Sequence, residues 1–388
     1  MSSAPVVQFL NELVAYPTIS DRPVDAIAGS LAQRAEDAGG RVECLSSSPG
    51  KVNVVARFGP QGTDGLVLSG HMDVVPTTGQ DWTSDPFSVT ERNGKLYGRG
   101  TADMKGFLAA ATIALERIPI TQLERELVFI WTHDEEVGCR GSRILAEQWK
   151  KKLGTLPRFA WIGEPTSFQL CRMHPGHTTI EIECTGRAAH SSRPGLGTNA
   201  IHIARLTLEA LDELAEIWKK DQQFTDHLES PFTVMNVGMI EGGSAVNIVP
   251  DQCTIRLGIR PLPGEPENQR INELCTALEP IQRQAELLQG ALTTTIVQVA
   301  PALLTPAGTP LEALLCPHAL KPEPTAAPFA TDGGNLATLD VSSLVFGPGS
   351  IDVAHRADEF IPAQDLIECV DMIASVVRSR CLSSAAGA

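Results

Sequence analysis

Three short runs that are almost wholly apolar, Leu66 to Ser69, Glu126 to Trp131 and Phe159 to Ile162, each break into ionisable residues. Runs of that length without polar alternation read as strands covered on both faces, which is the habit of parallel sheets. Helix-period segments lie between them, from Met104 to about Ile118 and from Ser142 to Lys152. Strands alternating with helices predict an α/β unit: a mixed, largely parallel sheet with helices on both faces. Two helices precede it, with Val7, Leu10, Leu13 and Val14 on one apolar face and Ile27, Leu31 and Ala35 on the next, punctuated by Pro17 and Asp21-Arg22-Pro23. A further strand is expected from Val52 to Phe58.

The pattern changes after Pro175. Thr179, Glu181 and Glu183 alternate with Ile180, Ile182 and Cys184, the mark of a half-exposed strand. A helix opens near Thr198, a plausible N-cap, and carries Ile201, Ala204, Leu208, Leu211 and Leu214. Strands at Thr233 to Gly238, Gln252 to Arg260 and Thr293 to Val299 enclose a second helix from Asn268 to about Leu288. This predicts an inserted α+β domain over 176–300, with a four-stranded antiparallel sheet and two helices, between two parts of the α/β domain, 1–175 and 301–388. The last part holds a helix at Leu311 to Leu320, a strand at Ser343 to Phe346 and a closing helix at Ala363 to Arg380; Ser383 to Ala388 should fray.

A formal charge of −15 argues against nucleic acid or an anionic membrane as partner. No apolar run reaches the ~20 residues needed to cross a bilayer, and Met1 to Pro5 lacks the basic and apolar regions of a signal peptide. Nine cysteines without a C-x-x-C pair fit reduced thiols, so a cytoplasmic protein is expected.

Ligands of open α/β sheets gather beyond the carboxyl ends of the strands, which is where the ionisable clusters fall. They are His71-Met72-Asp73, Asp103 after Gly98-Arg99-Gly100, Asp134-Glu135-Glu136-Val137-Gly138, Gly163-Glu164-Pro165-Thr166, and His355. Several carboxylates in one place repel and protonate unless cations neutralise them. Two histidines with three or four carboxylates suit a pair of Zn²⁺ ions sharing one bridging carboxylate. Hydrolysis also needs a carboxylate that is not a ligand, to take a proton from water, and the adjacent Glu135 and Glu136 suit that division. Taken singly, each feature has a plainer reading: His71-x-Asp73 as a surface or cap pair, Glu135-Glu136 as a solvated face, and His133 and Asp134 as ordinary polar residues.

Together these segments resemble the M20 metallopeptidases. His71-Met72-Asp73-Val74-Val75-Pro76, Gly98-x-Gly100-x-x-Asp103-Met104-Lys105-Gly106, Glu135-Glu136-x-Gly138 and Gly163-Glu164-Pro165-Thr166 match the family's motifs in its order. Further segments are similar to its deacetylases: Trp82-Thr83-x-Asp85-Pro86-Phe87, Gly94 to Gly98, Gly186 to Pro194, Ile259 to Gly264 and Gly347 to His355. The resemblance implies zinc at two sites, with Co²⁺ able to substitute. His71 and Glu164 would hold one metal, Glu136 and His355 the other, and Asp103 would bridge. Glu135 would be the general base, and Asp73 would orient the His71 ring. The inserted domain would be a lid through which a homodimer forms, and its His190 would donate to the oxyanion, from the partner's side. Arg260, helped by Asn247, would bind the α-carboxylate of an N-acyl amino acid, the small-molecule substrate; its products would be a carboxylate and a free amino acid. Phe329-Ala330-Thr331-Asp332-Gly333-Gly334-Asn335 departs from the deacetylase pattern and is similar to desuccinylases and carboxypeptidases of the family. There Asp332 would contact a basic substrate side chain or cap the next helix. The alternatives are a desuccinylase, a broader N-acyl amino acid deacylase, or a non-catalytic metal protein that binds an amino-acid derivative.

Overall fold

The computed structural model describes residues 4–382 apart from 21, 223–226 and 267. The expected fraying at Ser383 to Ala388, and Asp21 of the expected turn, lie outside the described residues. The chain divides into two compact units, Met1–Met173 with Leu303–Ala388, and His174–Ala302.

In the first unit four strands are mutually parallel: Leu127–Thr132, Leu66–His71, Phe159–Ile162 and Ser342–Val345, paired in that order. Antiparallel strands Lys51–Phe58 and Arg41–Ser48 continue the sheet beyond Leu127–Thr132, and Cys171–His174 flanks its other side. Alternate side chains of the apolar runs enter two separate cores. Leu66, Leu68, Leu127, Phe129 and Trp161 join the helices Pro5–Val14, Asp25–Asp37, Lys105–Ala114 and Ala363–Cys381. Val67, Val128, Ile130, Ala160 and Ile162 instead meet Leu145 and Trp149 of the helix Arg140–Lys152 and Leu336 of Gly333–Ala337. Cover on both faces is why the strands carry no polar alternation.

The second unit has four antiparallel strands in the order Val234–Gly242, Gln252–Arg260, His177–Thr185, Ala291–Ala300. Ile180, Ile182, Ile255, Leu257 and Ile259 pack with Ile203, Leu211 and Leu214 of the helix Ala200–Trp218 and with Leu274 and Leu278 of Gln269–Leu287. The first helix is capped by Asn199 rather than Thr198. Its side chain accepts from the amides of Ile201 and His202 at 2.9 and 3.3 Å, while the Thr198 hydroxyl donates to the Leu288 carbonyl. Just before Gln252 the chain forms a separate two-stranded pair, Ala189–His190 with Ile248–Val249, in which His190 faces Ile248.

Elements without a sequence signal are short or lie at an edge. Arg41–Ser48 is mostly exposed and so lacks a period. Thr90–Arg92, Lys95–Tyr97 and Phe360–Pro362 form a small sheet of three-residue strands. The helix expected from Leu311 is regular only over Pro310–Leu315 and tightens to a 3-10 turn at Cys316–His318, where Pro317 supplies no amide donor.

Glycine positions separate packing from propensity. A Cβ on Gly347 would lie 2.4 Å from the Glu164 carbonyl oxygen and 2.5 Å from that of Gly163, whereas one on Gly29, within an exposed turn of Asp25–Asp37, meets nothing within 4 Å. Denaturant unfolding should show Gly347→Ala destabilised by about 1–3 kcal/mol and Gly29→Ala stabilised by roughly 0.5–1 kcal/mol. Equal midpoints for the two variants would contradict this packing.

Candidate metal centre

The parallel strands deliver their clusters to one place. His71 is the last residue of Leu66–His71, Glu164 follows Phe159–Ile162 by two residues, and the Glu135-Glu136 turn follows Leu127–Thr132. Asp103 enters two residues before the helix Lys105–Ala114, and His355 lies in the loop after Ser342–Val345. His71 Nε2 is 3.0 Å from Asp103 Oδ1, and His355 Nε2 is 3.2 Å from Asp103 Oδ2. The same His355 nitrogen lies 3.1 and 3.0 Å from the two Glu136 oxygens. Potential ligand atoms of His71, Asp103 and Glu164 fall within 4.8 Å of one another, as do those of Asp103, Glu136 and His355. Asp103 is common to both groups.

The donor set fits cations. His71 Nδ1 lies 2.8 Å from the Asp73 carbonyl oxygen, which can only accept, so Nδ1 carries the proton. In the neutral ring Nε2 then turns a lone pair towards the Asp103 carboxylate, and two acceptors face each other unless a proton or a metal stands between them. Without a metal, protons take that place. Burial opposes charging His71, but Asp103 outweighs it and raises the imidazole pKa well above its ordinary value. Hydrogen bonds to Asp103 and Glu136 push His355 up to about 10. Burial and the Asp103 charge push Glu136 up to about 7 and raise Glu164 well above the carboxylate range. Asp103 moves down because its bonds to the two imidazoles overcome burial.

Glu135 stands apart from both groups of ligands. Burial raises its pKa well above the usual range, and the Cys139 thiol donates to its Oε1 at 3.3 Å. Asp332, which is 2 % exposed, completes a third group with Glu135 and Cys139. It occupies the N-cap position of Gly333–Ala337 without a capping hydrogen bond, and its Oδ2 accepts from Thr132 Oγ1 at 2.5 Å. The capping alternative for Asp332 therefore falls.

Asp73 does more than orient the His71 ring, and does that through its backbone. Its carboxylate is 3.7 Å from His71 Nδ1 and instead accepts from the amides of Glu135 and Glu136 at 3.0 and 3.3 Å and from Ser20 Oγ at 2.9 Å. Glu359 carries no sequence signal that separates it from any other acidic residue, yet it holds the Asp103 loop. It accepts from Arg99 Nη1 at 2.6 Å and from the amides of Gly100, Ala102 and Asp103 at 3.0 to 3.1 Å. Lys105 closes the other side: its Nζ donates to the Leu13 and Tyr16 carbonyls at 3.0 and 2.7 Å, and burial pushes its pKa down to about 7.

In the second unit the expected residues form two groups. The Ser191 amide donates to the Asn247 carbonyl at 3.0 Å, so Asn247 accompanies the exposed His190. Arg260 ends the strand Gln252–Arg260, whose nine residues place it about 26 Å from Gln252 and further from the His190 pair beyond it. Beside it, burial and the Arg260 charge push His177 down to about 4. A single copy of the unit therefore does not bring Asn247 to Arg260.

Glu359→Gln keeps the shape and one acceptor oxygen but removes the charge that answers Arg99 and the loop amides. Competition against a chromophoric chelator should show metal affinity reduced roughly 10–100-fold in a protein with native circular dichroism. Undiminished affinity would mean that the loop does not depend on that carboxylate.

Comparison with known proteins agrees with this geometry. The family model described as Peptidase family M20/M25/M40 matches residues 67–379. An acetylornithine deacetylase of Klebsiella pneumoniae (strain 342) is 34% identical over 395 aligned residues, 97% of this chain and 98% of the relative. Two solved structures share the fold. An M20 family metallo-carboxypeptidase from Sulfolobus solfataricus has a TM-score of 0.76 and 18% identity, over 97% of this chain and 99% of that one. A tripeptidase from Staphylococcus aureus has a TM-score of 0.74 and 21% identity, over 97% of both. With its mixed α/β unit, its separate antiparallel sheet and a family match over most of its length, the chain belongs to Peptidase family M20/M25/M40 and is a hydrolase of that family.

Proposed function

We propose that the chain is a zinc amidohydrolase of N-acyl amino acids that converts N2-acetyl-L-ornithine and water to L-ornithine and acetate in arginine biosynthesis. The observation that carries this reading is Glu135: a half-buried acidic residue beside both groups of potential ligands and a member of neither. A protein that only bound an amino-acid derivative would have no use for it. The relative at 34% identity supports the choice of acyl group and amino acid. A cytoplasmic location, where the nine cysteines stay reduced, fits the same reading.

In this reading His71 and Glu164 would hold one Zn²⁺ and Glu136 and His355 the other, with Asp103 available to both. Bound zinc would polarise the amide carbonyl and lower the pKa of water towards ~7. Glu135 takes the water proton as the amide carbon is attacked and returns it to the leaving amine. The Asp73 carboxylate, through the Glu135 and Glu136 amides, keeps base and ligand pointed apart. Arg260 receives the α-carboxylate through its planar fork, and Asp332 offers the buried negative charge that a cationic side chain requires.

His190 donates to the developing oxyanion. The span of the second unit supports an intersubunit arrangement: one copy cannot set His190 and Arg260 on a small substrate, whereas two copies in a homodimer can exchange their His190 ends. Asn247 would then arrive with the partner's His190. Apolar side chains near that end, Leu196, Val246 and Ile248, are 40% exposed or more, as expected of a surface that a second copy covers. Gly333-Gly334 favours one second reading, a desuccinylase, within the same chemistry.

Turnover of N-acetylornithine should exceed that of N-acetylcitrulline, N-acetylmethionine and N-succinyl-diaminopimelate in zinc-supplemented assays. Preference for the succinyl compound would select the second reading. Chelation should abolish the activity and Zn²⁺ or Co²⁺ restore it, while Glu135→Ala should lose turnover and keep its metal. Mixing inactive His190→Ala and Glu135→Ala chains should recover part of the activity, since one site of the mixed dimer would carry both native residues; no recovery would refute exchange between subunits.

A further inference from the structure

Glu135, Cys139 and Asp332 form a group of potential ligands that the hydrolytic chemistry leaves partly unused. One oxygen or sulfur atom from each lies within 4.8 Å of the others. The 3.3 Å between Cys139 Sγ and Glu135 Oε1 is close to the S···O span of about 3.6 Å that tetrahedral zinc imposes on a thiolate and a carboxylate. Asp332 adds an independent sign of a missing partner. It is 2 % exposed, its Oδ2 is taken by Thr132, and its Oδ1 has no hydrogen-bond partner. The neighbouring Ser142 hydroxyl lies against the Cys139 carbonyl at 3.1 Å and accepts from Asn335 Nδ2 at 2.9 Å, and what Ser142 and Thr132 lend Asp332 does not offset burial, which raises that carboxyl's pKa. A buried carboxylate oxygen without a donor calls for a cation.

We infer that Glu135, Cys139 and Asp332 form a third, inhibitory site for a thiophilic divalent cation such as Zn²⁺, separate from the two histidine-carboxylate groups. Binding forms metal bonds to Cys139 Sγ and to one oxygen each of Glu135 and Asp332, and releases to solvent the thiol proton together with any proton those two carboxyl groups carry. Three protein ligands leave a fourth position for water. The inhibitory effect rests on the reading of Glu135 as general base, because a carboxylate engaged by a cation no longer takes a proton. The site itself does not rest on that reading. Excess zinc would thus silence the enzyme that limiting zinc activates, through a side chain that the two activating positions do not share.

Neither histidine-carboxylate group contains sulfur, so thiolate coordination reports the third site alone. The full-length enzyme loaded with two equivalents of Co²⁺ should show no near-ultraviolet thiolate-to-cobalt absorption. A third equivalent should bring that absorption in, and turnover should fall in step with it. Cys139→Ser should lose the absorption, and excess metal should inhibit it roughly 10–100-fold less effectively. Asp332→Asn, which leaves the thiol in place, should weaken the third equivalent and leave the first two bound as before; read by metal titration rather than by turnover, to which Asp332 also contributes, it serves if the serine variant does not fold. No absorption at any loading, or its persistence in Cys139→Ser through the exposed Cys44 or Cys275, overturns the site. Absorption that grows with no loss of turnover upholds the site and refutes Glu135 as the base, so the two failures are distinguishable.

Discussion

The arrangement depends on negative charge brought together where water cannot answer it. Asp103, Glu135, Glu136, Glu164 and Asp332 lie close together, with His71 and His355 as cationic partners. Charges in such a place are worth several times their value in water. Left to protons, the cluster raises the pKa of His71, His355, Glu136 and Glu164 together. Left to divalent cations, the same groups can all ionise. Protons and divalent cations would therefore compete for the same groups, which ties any metal affinity to pH.

The scaffold meets that demand by fixing backbone rather than by adding cations. Asp73 and Glu359 spend their charge on amides, one on the Glu135-Glu136 turn and the other on the Gly100–Asp103 segment. Arg99 answers Glu359 at 2.6 Å, and Lys105 is committed to the end of the helix Pro5–Val14. Arg99 and Lys105 are thus occupied elsewhere, and the carboxylates of the candidate centre stay available. Loops already held by buried charge-assisted hydrogen bonds lose little entropy when a ligand enters.

Much of this was legible in the chain. The apolar runs ending at His71, Trp131 and Ile162 announced strands covered on both faces, and their ionisable ends announced the centre, because strand ends of a parallel sheet converge. What stayed hidden lies in contacts between residues distant in sequence. Glu359 looks like any acidic residue until it is seen against Gly100 and Asp103, more than 250 positions earlier. Asp73 was legible as an orienting residue, but which of its atoms meets His71 depends on side-chain geometry that no spacing encodes. Cys139 is silent in the sequence for the same reason, since a cysteine one turn beyond Glu135 is ordinary and matters only beside Asp332. The distance between Arg260 and Asn247, thirteen residues apart along the chain, came from the strand that separates them.

The central claim is that two cations share Asp103. Anomalous diffraction from zinc-soaked crystals tests it directly. Two peaks should flank the Asp103 carboxylate, one near His71 and Glu164 and the other near Glu136 and His355, and both should vanish together in Asp103→Ala. A single peak away from Asp103, or two peaks that survive that substitution, would contradict it.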